Sequence, residues 1–103
     1  MTLYMTYFSE EIENAKYFIS RENAFHYLTK GEGRKKMYDE YRNDALPEIY
    51  DMAELTIAEQ QTLIDSFAVE VINNSEIHYT STDLDGKKEL YSAAYIEEIH
   101  TED

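Results

Sequence analysis

The chain has 103 residues, with 22 Asp and Glu against nine Lys and Arg, a net charge of −13 and no cysteine. This length suits one domain with one modest core, and the missing thiols exclude disulfides, thiolate metal centres, a cysteine nucleophile and thiol redox chemistry. With 43% apolar residues, ten Tyr and four Phe, the composition argues against charge-driven disorder, and no apolar run reaches the ~18 residues of a membrane span.

Met1 to Phe8 lacks the basic start and small-residue cleavage site of a signal peptide, so a cytoplasmic protein is expected. Leu3, Met5 and Tyr7 alternate with Tyr4, Thr6 and Phe8, which predicts a first strand over Thr2 to Phe8. Ser9, followed by Glu10 and Glu11, reads as a helix N-cap with acids at the positive end of the dipole. Ile12, Ala15 and Ile19 then recur at helical spacing, which predicts a helix to about Thr29. Ser20 offers an alternative break, capping a second short helix through Asn23. Gly31 and Gly33 end the helical pattern in either case.

From Arg34 to Asp44, Met37, Tyr38 and Tyr41 make one apolar stripe, and Pro47 predicts a kink and a new turn. Thr56-x-x-Glu59 matches a capping box. Leu63, Ile64, Phe67, Ala68, Val71 and Ile72 then predict a single core-facing helix that stops at Asn73, Asn74 and Ser75. Glu76 to Thr82 alternates again, and Asp85-Gly86 predicts a hairpin whose return strand covers Lys88 to Ile99. Tyr91, Tyr95 and Ile99, four apart, leave a helix there as the alternative. The expected fold is one α+β domain over residues 1–103: a small antiparallel sheet, built from the N-terminal strand and the C-terminal hairpin, with about three helices packed on one face.

No residue pattern specifies a reaction. His26, His78 and His100 lack the four-residue spacing of a helical metal motif, and none of the serines sits in a nucleophile elbow. No catalytic residue, metal or other cofactor is therefore assigned. Ser81-x-Asp83-x-Asp85-Gly86 resembles the front of a calcium-binding loop, but Ser81 replaces its first Asp, Lys88 an apolar residue and Ser92 the bidentate Glu, so a hairpin turn is expected. Gly31-Glu32-Gly33-Arg34-Lys35-Lys36, the one basic cluster, lacks Walker spacing and reads as a helix end followed by a loop.

The charge is unevenly distributed. Residues 1–36 hold six basic and five acidic groups, whereas residues 43–86 hold ten acids and no Lys or Arg. Like charges three or four apart on a helix repel, and most sequences relieve this with interspersed Lys. A solvated coat would explain some of this charge. A net charge of −13 nevertheless exceeds the roughly 2 to 8 that keeps a small domain soluble, and tyrosine is favoured at interfaces. Carboxylates four apart on a helix lie ~6 Å apart along its axis, close to the phosphate spacing of one nucleic-acid strand.

These features predict a non-catalytic interaction protein. Its expected partner is a basic protein, a nucleic-acid-binding defence enzyme or a toxin, met through a face carrying Tyr38, Glu40, Tyr41, Asp44, Glu48, Tyr50, Asp51 and Glu54. Neither direct nucleic-acid contact nor a membrane is expected. In size, charge and aromatic content the chain is similar to phage anti-restriction and anti-CRISPR inhibitors, a resemblance that implies DNA mimicry. An antitoxin or immunity protein fits the same physics, and a small acidic metal-binding or enzymatic domain is the alternative of another class.

Overall fold

A computed structural model describes residues 1–102. Strands β1 (Thr2–Phe8) and β2 (Glu11–Phe18) form a hairpin, followed by helices α1 (Arg21–Thr29) and α2 (Glu32–Glu40). A π-helical turn, Tyr41–Ala45, continues α2 into the short α3 (Leu46–Ile49). A 3₁₀ turn (Met52–Glu54) and helix α4 (Ile57–Asp65) lead to β3 (Ala68–Asn73), β4 (Glu76–Thr82) and the long β5 (Lys88–His100). The strands form one antiparallel sheet in the order β2-β1-β5-β4-β3. No described helix is long and apolar enough to cross a membrane.

The thirteen residues of β5, at ~3.3 Å each, reach ~43 Å. Its two halves serve different hairpins. Residues 94–100 pair with β1, and residues 88–95 pair with β4. The hairpins are therefore staggered along one backbone strand, which accounts for the elongated 58 × 22 × 17 Å body.

In antiparallel pairs, directly opposed residues share a face. Thr6 and Phe8 of β1, Ile77 and Tyr79 of β4 and Ala94 and Ile96 of β5 are buried. They meet Ala24 and Leu28 of α1, Met37, Tyr41 and Leu46 of the α2–α3 run and Leu63 of α4 in one core. Aromatic rings run through it: Phe8 to Tyr79 at 6.1 Å, Tyr79 to Phe67 at 6.0 Å, Phe67 to Tyr41 at 5.6 Å and Tyr41 to Tyr91 at 5.5 Å. Each such pair adds ~0.5–1.5 kcal/mol beyond its burial. The buried Tyr79 hydroxyl donates to the Leu28 carbonyl at 2.6 Å, fastening β4 to α1. Burial pushes its pKa far above the ordinary tyrosine range.

The α+β class, the helix-covered face and the C-terminal hairpin agree with the sequence, with Gly86 at φ +85° in the turn. Asp83 there accepts the amides of Asp85 and Lys87, both at 2.9 Å, so the calcium-like motif is a self-capped turn. The sheet has five strands rather than three, because two segments read as helix are strands. Ser9 is not an N-cap: its amide donates to the Ala93 carbonyl, and Glu11–Phe18 returns along β1 with Phe18 packed on Tyr27. The helix proper starts after Ser20, whose side chain accepts the Asn23 amide.

The second correction lies at the end of α4. Its capping box is formed, but the helix stops at Asp65 instead of running to Ile72. The Ser66 hydroxyl donates to the Leu63 carbonyl and accepts the Thr82 amide. Val69, Val71 and Ile72 then extend as β-branched residues favour.

Candidate acidic interface

Pro47 shapes the central helical run. It has no amide to offer, and its ring would crowd the carbonyl four residues back in a regular helix. The π turn relieves this: the Leu46 amide donates five residues back, to Tyr41. The buried stripe accordingly steps by four through Gly33, Met37 and Tyr41, then by five to Leu46. The expected break at Pro47 is thus absorbed, and helical backbone continues to Ile49.

Asp44 and Glu48 project from the outer side of this run, and both are exposed. Asp51 and Glu54 are exposed on the 3₁₀ turn that follows. The turn is held in place. Asp51 accepts the Ala53 amide at 3.1 Å, and Gln60 of α4 donates to the Met52 and Leu55 carbonyls at 2.8 and 3.3 Å. Ile49, 70% exposed, stands between Glu48 and Asp51. Among the described residues, none of Asp44, Glu48, Asp51 and Glu54 forms an ion pair.

Arg42, exposed on the same π turn as Asp44, forms no ion pair among the described residues, and five of the nine cations are paired with other acids. Lys35 binds Asp39 at 2.8 Å, Lys36 binds Glu11, Arg21 lies 3.6 Å from Glu98, Lys87 3.7 Å from Glu89, and Lys88 binds Glu70. Glu70 is therefore the one acid of the lysine-free block that receives a lysine among the described residues.

The tyrosines of the predicted face behave differently from its acids. Tyr41 is 3% exposed and donates its hydroxyl to the Leu63 carbonyl at 2.8 Å. It is a core anchor and offers no contact surface, which corrects its expected role. Tyr38 is half-buried edge-on against Phe67 with Arg34 above its ring, and Tyr50 is half-buried against the core. These three rings fasten the acidic run to the domain, because each lies on the inward side of a stripe whose outer side carries the acids.

Glu40 belongs to a node that the sequence did not reveal. It is half-buried, and burial, reinforced by neighbouring Glu11 and Asp44, raises its pKa against the opposing pull of Lys36. The contact with Lys36 holds Glu11 below the usual carboxylate range. The Tyr91 hydroxyl is pushed up to about 12 by burial and by the negative field of Glu40, Glu10, Asp44 and Glu11. The β1–β2 turn thus brings Glu10 and Glu11 toward Tyr91, where Glu40 and Asp44 also act, with Glu11 paired to Lys36. Their sequence separation of about thirty residues hid this, as did the reading of Glu10 and Glu11 as helix-start acids. No group of three or more His, Asp or Glu able to hold a metal occurs among the described residues.

Compared with protein-family models, curated proteins and solved structures, the chain matches none.

Proposed function

We propose that the protein is a non-catalytic inhibitor that binds a basic, nucleic-acid-binding partner by occupying the surface where phosphates would lie. The observation that carries this reading is the set of exposed carboxylates without ion pairs among the described residues, Asp44 and Glu48 on the end of the helical run and Asp51 and Glu54 on the braced 3₁₀ turn after it, within residues 43–86, which hold no Lys or Arg. Fixed carboxylates steer association with a cationic surface and form charge-assisted hydrogen bonds with Arg and Lys. Holding them on helical backbone lowers the ordering cost at binding. Ile49, exposed between Glu48 and Asp51 along the chain, supplies an apolar contact among the acids, as apolar hot spots do within a polar rim.

The partner class is a defence enzyme that grips DNA or RNA, as anti-restriction and anti-CRISPR inhibitors target; a basic toxin is the second member of the same class of surface. The test is a pull-down from host lysate at about 50 mM and about 500 mM salt, with the retained proteins identified, since exposed charges are screened across that range. A basic nucleic-acid-binding protein retained at low salt and released at high salt is expected. Its absence, or undiminished retention by the quadruple variant Asp44→Asn, Glu48→Gln, Asp51→Asn, Glu54→Gln, refutes the proposal.

A further inference from the structure

A slot opens between α3 and the turn end of the β4–β5 hairpin. Buried Leu46, exposed Ile49 and half-buried Tyr50 line it on the α3 side, and Ser81, Asp83 and Glu89 on the hairpin side. Ser81, two residues on from buried Tyr79, lies on the helix-covered face of the sheet, and Glu89 opposes it across the ladder. One wall is therefore apolar and aromatic, and the other carries two carboxylates with acceptors to spare. Asp83 receives the Asp85 and Lys87 amides through Oδ1, which leaves Oδ2 without a hydrogen bond among the described residues. Glu89 meets Lys87 at 3.7 Å in an exposed pair. The interior measures ≈ 50 Å³, several times the ~10–15 Å³ that one water needs and well below the ~300–1,000 Å³ of small-molecule sites. That space suits the head of one side chain.

We propose that this slot receives an arginine side chain. Coming across α3, its stem covers Ile49 and Leu46, as long cationic side chains do over apolar surface, while its head reaches the hairpin wall. The planar guanidinium stacks on aromatic rings and holds five donors in a fixed fork, which matches Tyr50 facing Asp83 and Glu89. A lysine head is a point charge without a plane, and an apolar side chain would cover the carboxylates without a counter-charge. Ile49 and Tyr50 lie between Glu48 and Asp51 in the chain, so the slot is continuous with the acidic run. Only the source of the arginine, a basic partner, rests on the inhibitor reading. There the slot fixes register on a surface otherwise defined by charge.

Titration of the isotope-labelled chain with N-acetyl-arginine methylamide, followed by amide chemical shifts, tests this without any partner. Saturable shifts centred on Leu46, Tyr50, Ser81 and Asp83 are expected, with the uncharged citrulline analogue and the lysine analogue each binding about tenfold more weakly or worse. The double variant Asp83→Asn, Glu89→Gln keeps the Oδ1 that caps the turn and should lose about tenfold or more in affinity for the arginine probe. Glu22→Gln, which removes one charge at the start of α1, should bind the probe as the wild type does. Shifts spread over all the carboxylates without saturation, equal binding of either analogue, or undiminished affinity in the folded double variant would overturn the inference. A basic partner retained by a chain whose slot ignores arginine overturns the slot and leaves the inhibitor reading standing. Arginine bound in the slot with no basic partner retained supports the slot and refutes that reading.

Discussion

At the scale of single residues, side chains that look alike in sequence have separate tasks. Tyr41 ties the acidic run to α4, so Tyr41→Phe loses the bond to the Leu63 carbonyl. That carbonyl still accepts the Ser66 hydroxyl at 2.7 Å. The expected cost is therefore about 1 kcal/mol, the net value of one hydrogen bond, read as a lower urea midpoint with partner binding unchanged. A loss of binding in a folded Tyr41→Phe protein would return this residue to the interface.

Glu40 makes an opposite-signed prediction. Its folded pKa is raised, so its contribution to stability is present below the ordinary carboxylate value of about 4.3 and is lost as pH rises through the higher folded value. Glu40→Gln stays neutral throughout. It should be more stable than the wild type at neutral pH, with the advantage fading toward about pH 3.5, below the ordinary carboxylate value. Equal urea midpoints at neutral pH would show that burial and Glu11 impose no penalty on this carboxylate.

At the scale of elements, the sequence revealed those whose signals are local. The Thr56–Glu59 capping box, the Asp85-Gly86 turn and the alternation of β1 and β4 each depend on residues within a few positions, and each formed where expected. Elements decided by distant partners were misread. Glu11–Phe18 is a strand because β1 supplies its ladder, and Ala68–Asn73 because β4 does; neither neighbour is visible in a helical-period count. The π turn was hidden for a related reason: a buried stripe that steps by five at Leu46 resembles a break when the period is held at 3.6. The acids Asp44, Glu48, Asp51 and Glu54 were legible as a lysine-free block, whereas Glu10 and Glu11 joined them only through the hairpin. The junction of α1 and α2 is testable. A Cβ on Gly33 would lie 2.8 Å from the Tyr27 ring and 2.9 Å from its carbonyl oxygen. Gly33→Ala should therefore cost ~1–3 kcal/mol, as overpacking does, in a thermal or urea melt; an unchanged melt would mean that the helices separate freely.

At the scale of the whole molecule, one sheet divides two kinds of surface. One side carries helices and an acidic run braced by buried Tyr41 and half-buried Tyr38 and Tyr50, and the other a face on which Leu3, Met5, Tyr7, Tyr17, Tyr95 and Ile99 lie with Glu97, Glu76 and Glu70. The claim that the acids occupy a phosphate-binding surface is tested most directly by competition. The retained basic partner is loaded with a fluorescent duplex, and the anisotropy is followed as the chain is added. The wild type should release the duplex, and the quadruple carboxylate variant, folded to the same melting temperature, should not. A ternary complex with the duplex still bound, or equal release by the variant, would contradict the account.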